Sequence, residues 1–158
     1  MDVIILSVNP ADIHSSWMPN IVDIFINGKN LIDIVREVEL PSAIEEGSSE
    51  IAGHYMGLQP SELLNPFTYQ NGKIAIFDCA SFCATGCWPL LVKVTVTDNL
   101  VIWEEFEQYH RGPTFPGKQW RYDGLRFVFD RKQYNQEFSK LANYPDTYYD
   151  SYYDSYEE

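Results

Sequence analysis

Residues 92–103 constrain the fold of this chain more than any other stretch. Val92, Val94 and Val96 alternate with Lys93, Thr95 and Thr97; Asp98-Asn99 follows, and Leu100-Val-Ile-Trp103 resumes the apolar run. A period of two in β-branched residues reads as strand, and Asp-Asn between two such runs suits a two-residue hairpin turn. With that turn Thr97 faces Leu100, Val94 faces Trp103 and Lys93 faces Glu104. One face then sends Val92, Val94, Val96, Val101 and Trp103 into the core, and the other sets Lys93 against Glu104 as a cross-strand ion pair. Ile74 to Phe77 predicts another strand of the same sheet.

Between that strand and the hairpin lies Cys79-Ala-Ser-Phe-Cys83-Ala-Thr-Gly-Cys87-Trp-Pro89, which holds every cysteine of the chain. Gly86 and Pro89 favour a turn over a helix. Two readings fit the three sulfurs. Cys79, Cys83 and Cys87 could staple the turn around zinc with a fourth ligand from elsewhere, or pack as small apolar residues beside Trp88. The spacing lacks the paired C-x2-C knuckles of a recognisable zinc module. An odd cysteine count and the lack of a basic leader before Asn9-Pro10 predict unpaired thiols and a cytoplasmic location.

Elsewhere the pattern predicts an α+β fold. Val3 to Val8 reads as a strand, Ser15, Ser16 and Pro19 as loop, and Val22 to Ile26 as a strand closed by the tight turn Asn27-Gly28. Asn30 is a candidate cap for a helix over 31–39, with Leu31, Ile34, Val35 and Val38 as its stripe and Pro41 as its stop. Residues 42–71 show little periodicity, with one short strand at Ile51 to Met56 as an alternative to a surface excursion. Leu125, Phe127 and Phe129 form a last strand. Asp130 then caps a helix over 131–141 whose stripe is Tyr134, Phe138 and Leu141. The expected architecture is one domain over 1–143: an antiparallel sheet of about five strands with two helices. Its core is predicted to hold Ile24, Ile26, Val94, Val96, Trp103, Phe127, Phe129, Tyr134 and Phe138. Residues 144–158 repeat Tyr-Tyr-Asp-Ser without an aliphatic side chain and read as a disordered acidic tail, or as a segment folded back over the basic stretch.

Charge narrows the partners. The net charge is -12, and it is unevenly spread: residues 1–110 carry 15 acids and 4 bases, 111–143 carry 3 acids and 7 bases, and 144–158 carry 5 acids and no base. General nucleic-acid binding needs clustered cations and is not expected. No run approaches the roughly 20 apolar residues of a membrane span. The basic segment includes a loop, Gln108 to Gly124, rich in rings and cations. Tyr109, His110, Arg111, Phe115, Trp120, Arg121 and Tyr122 are its candidate binding residues, because aromatics supply contact area and arginines directed donors. The same residues could stack on one another simply to order the loop.

Several short motifs, Ile-Asn-Gly-Lys at 26–29, Gly-Cys-Trp-Pro-Leu at 86–90, Val-Ile-Trp-Glu-Glu-Phe-Glu-Gln at 101–108 and Phe-Asp-Arg-Lys-Gln-Tyr at 129–134, make the chain resemble a group of bacterial proteins without an assigned activity. Those proteins tend to carry a tighter cysteine cluster. The resemblance implies a bacterial cytosolic origin and no reaction. The expected function is a non-catalytic, macromolecule-binding protein that neutralises a basic protein partner, as an immunity protein or antitoxin does. The alternatives are a small thiol-dependent enzyme with His110 as base, or a structural zinc module.

Overall fold

A computed structural model describes residues 1–10, 20–80, 86–115 and 117–144. The fold is α+β, with eight strands in two antiparallel sheets and three α-helices among those residues. β1 (Ile4–Pro10), β2 (Asn20–Ile26) and the two-residue β3 (Lys29–Asn30) make a three-stranded sheet in that order. β4 (Tyr55–Gly57), β5 (Ile74–Cys79), β6 (Leu90–Val96), β7 (Leu100–Gln108) and β8 (Phe127–Asp130) make the five-stranded antiparallel sheet that the sequence predicts, also in chain order. The second sheet and the third helix are additions to that prediction. The loop around Ser15 and Ser16, and the tail beyond Tyr144, lie outside the described residues.

The β6–β7 hairpin has the predicted register: Lys93 lies opposite Glu104, Val94 opposite Trp103 and Val96 opposite Val101, and Thr97 N donates to Leu100 O at 2.9 Å. The ion pair differs. Lys93 Nζ reaches Glu105 at 3.1 Å, and Glu104 takes Arg126 at 3.5 Å. The reason is a bulge in which Glu105 and Phe106 together oppose Val92; Glu105 sits at φ 52, in the left-handed region, and the strand shifts phase there. Beyond it Phe106, Glu107 and Gln108 are buried in succession. Val96, expected in the core, is 54% exposed at the last position of β6, beside the hairpin turn.

α1 spans Leu31–Glu45, six residues past its predicted end. Asn30 caps it as expected, its side chain accepting from Ile32 N at 2.9 Å. Pro41 does not stop it. The buried positions Leu31, Val35, Glu39 and Ala43 continue at a spacing of four, and burying Ala43 carries the helix through the proline. α2 (Pro60–Leu64) is a single turn capped reciprocally by Gln59 and Glu62, in a stretch where the sequence shows no period. α3 (Arg131–Ser139) begins on Asp130, which accepts from Gln133 N at 3.0 Å, and ends in a 3₁₀ turn over Lys140–Asn143.

Two contacts tie the sheets together. Val22 N of β2 donates to Leu58 O just past β4 at 2.8 Å, and Asp2 bridges to Phe129 of β8. The outer edge of β1 is covered by α3 side chains: Gln133 Oε1 accepts from Ile4 N at 3.3 Å, Gln133 Nε2 donates to Ile4 O at 2.6 Å, and Glu137 Oε1 accepts from Leu6 N at 3.0 Å. Two side chains one helical turn apart thus stand in for the ladder of a missing strand. Between these layers the core holds Ile24, Ile26, Trp103, Phe127 and Phe129 as predicted, with Val94, Tyr134 and Phe138 packed at its margin.

Candidate functional site

The turn after β5 is organised by one carboxylate. Asp78 Oδ1 accepts from Cys79 N at 2.8 Å and Trp88 N at 3.0 Å, and Oδ2 accepts from Gly86 N at 2.8 Å. Three amides on one carboxylate fix where Trp88 stands. Asp78→Ala leaves two long-range amides without their acceptor, and the expected loss is about 1.5–3 kcal/mol of stability in chemical denaturation. Asp78→Asn, which keeps an acceptor, is expected to lose less.

Trp88 belongs to a row of rings that crosses the surface from the loop before β5 to the loop after β7. Phe67 meets Tyr69 edge to face at 5.0 Å between centroids, Tyr69 meets Tyr109 at 5.1 Å, and Tyr109 meets Phe115 at 5.4 Å. Phe115 lies 5.1 Å from His110, His110 stacks on Trp88 at 5.8 Å with an interplanar angle of 8°, and Trp88 meets Trp120 at 5.9 Å. Contacts at these separations each add about 0.5–1.5 kcal/mol beyond burial.

The inner end of the row is pinned to α1. The Arg111 guanidinium lies 5.1 Å from the Trp88 ring and 5.7 Å from Trp120, and its Nε donates to Glu46 Oε1 at 2.9 Å. Trp120 Nε1 donates to the same oxygen at 2.8 Å. Burial opposes ionisation of Glu46, but the donors and charge of Arg111, with Trp120, outweigh it and hold the carboxyl below its ordinary range. At the outer end Phe67 is 72% exposed, and Phe115, midway along the row, is 43% exposed. The row is therefore fixed at its base and open at its tip. Within it Trp88 Nε1 and His110 Nε2 are covered and have no hydrogen-bond partner among the described residues. Packing selected only for stability avoids this cost of about 1–3 kcal/mol per group.

Beneath the row lies a buried polar cluster. Glu39 of α1 is fully buried; its Oε1 accepts from Gly53 N at 2.8 Å, and its Oε2 accepts from the Tyr55 hydroxyl at 2.6 Å and from the Tyr122 hydroxyl. Gln108 Nε2 donates to Tyr55 Oη at 3.3 Å and Pro89 O at 3.1 Å, while its Oε1 accepts from His110 N at 2.7 Å. Burial raises the Glu39 pKa despite these donors, and burial with the adjoining acid pushes both tyrosines far up, so they remain donors. The cluster is closed to solvent and serves to position the loop.

Of the residues singled out in the sequence, Tyr109, His110, Arg111, Phe115 and Trp120 come together in the row. Tyr122 instead turns inward to Glu39, and Arg121 is exposed outside the row. Arg111 and Trp120 do order the loop by stacking, and they do so while supporting Trp88 and His110. Phe67, Tyr69, Asp78 and Glu46 are members or supports that the sequence reading missed. Among the cysteines, Cys79 is a half-buried thiol, Cys83 lies outside the described residues, and Cys87 is exposed and disulfide-bonded, against the expectation of unpaired thiols. A sulfur so bonded is not a thiolate ligand, and among the described residues no three His, Cys, Asp and Glu side chains group to hold a metal. No described helix is long and apolar enough to cross a membrane. No family model, curated protein or solved structure matches the chain.

Proposed function

We propose that this chain is a non-catalytic protein-binding module that docks a basic protein partner on the ring row, in the manner of an immunity protein or antitoxin. One observation carries the reading: a continuous row of seven rings whose outer members are exposed and whose inner members are held by Asp78 and Glu46. Rigid aromatic anchors lose little side-chain entropy on binding, and such residues dominate interface energetics. The net charge of -12 favours encounter with a cationic protein and penalises acidic competitors.

The test is native mass spectrometry of the protein isolated at low salt from its own host, beside the Phe67→Ser/Phe115→Ser double variant. The expected result is a second, basic polypeptide in fixed ratio, lost at high salt. In the variant, affinity is expected to fall at least about thirtyfold, as hot-spot truncations do, while thermal unfolding shows the protein still folded, with a midpoint lowered only by the loss of three ring contacts outside the core. A partner retained by the double variant, or none at low salt, counts against the reading.

A further inference from the structure

A groove opens at the tip of the ring row, between α2 and the turn that Asp78 organises. Its volume is about 380 Å³, at the small end of the roughly 300–1,000 Å³ of ligand sites, which suits a side chain better than a cofactor. Leu58, Ala75, Phe67 and Tyr69 supply its apolar lining, and Glu62 and Asp78 contribute carboxylates; no lysine or arginine is among the described lining residues. Tyr69 closes the groove against the turn, its hydroxyl 3.9 Å from where a Cβ on Gly86 would stand. Burial first, then the charge of Asp78, raises the pKa of this phenol.

We propose that this groove receives an arginine side chain of the basic partner, with the guanidinium against the Phe67 and Tyr69 rings and facing Glu62 and Asp78. Two features select arginine over lysine. A planar guanidinium stacks on ring faces that an ammonium only touches, and its forked donors match carboxylate oxygens. Asp78 accepts from three backbone amides, and a carboxylate offers about four acceptor positions, so among the described residues one position is left for a donor in the groove.

The inference rests on the partner-binding reading above, and its test is separable from it. The probe is the blocked tripeptide acetyl-Gly-Arg-Gly-amide, titrated into the full chain at low salt by NMR, with the citrulline analogue as the uncharged isostere. The arginine peptide is expected to shift the Gly86 and Trp88 amides and the Tyr69 ring saturably. Glu62→Gln, which preserves the acceptor that caps Gln59 N at 2.9 Å, is expected to weaken it about two- to fivefold. Phe67→Leu is expected to do the same through loss of the ring face. Absence of saturable shifts, equal binding of citrulline, or indifference to both substitutions overturns the proposal. If the tripeptide fails while a partner is still lost from the Phe67/Phe115 variant, only the groove is wrong. If the tripeptide binds but a partner survives that variant, the wider reading is wrong and the groove stands.

Discussion

Glu39→Ala is expected to cost about 3–5 kcal/mol, a large share of the roughly 5–15 kcal/mol by which a domain of this kind is stable. The substitution removes the acceptor of three buried donors at once: Gly53 N, Tyr55 Oη and Tyr122 Oη. Each loses its acceptor in a site that water does not reach, and a cavity is added. Urea denaturation of the two proteins measures the difference. Glu39→Gln separates charge from packing. Because the folded pKa of Glu39 is raised above 4.5, the native state keeps a proton that the unfolded chain releases. Its contribution is fully present below the unfolded value and declines as pH climbs to the folded one. Glu39→Gln does not titrate, so its stability relative to the parent is expected to rise with pH across that window. A difference that is flat with pH would show that burial does not favour the neutral acid.

Gly57→Ala is expected to be as damaging, by a different route. A Cβ at Gly57 would stand 2.2 Å from Val22 O and 2.8 Å from Val22 C. Both obstacles are backbone, and neither segment has room to retreat. Val22 is fully buried in the middle of β2, paired with Val8, and its N–H holds Leu58 O at 2.8 Å. One methyl group must therefore push the two sheets apart, at a cost of at least about 3 kcal/mol. Thermal unfolding should fall by roughly 6–12 °C or more for a chain of this size, and a change below about 2 °C would mean that the sheets slide past each other easily.

What could be read from the sequence is what is decided locally. The alternation of Val92, Val94 and Val96 about Asp98-Asn99 fixes the hairpin register, and Asn30 and Asp130 cap their helices through amides only two and three residues on. Decisions made at a distance could not be read. Pro41 looks like a stop, yet Ala43 has a core to fill. Glu104 and Glu105 are the same residue type, so nothing in the pattern marks which of them the bulge turns toward Lys93. The loop from Gln108 to Gly124 was recognisable by composition, but the inward turn of Tyr122 depends on Glu39, 83 residues away, and the seating of Trp120 on Glu46, 74 residues away. Phe67 and Tyr69 stood in a stretch without period, and only the return of the chain beside Tyr109 gives them neighbours.

The covering of β1 by α3 has a consequence during synthesis. Ile4 and its cover, Gln133, are 129 residues apart. A ribosome adding about 5–20 residues per second completes one roughly 6–26 s before the other. For that interval β1 is an apolar strand with an open edge, and the side chains that will close it do not yet exist. The nascent chain can thus cross-pair with its neighbours on a polysome until its last helix emerges, and slow codons anywhere between residues 4 and 133 would lengthen that exposure.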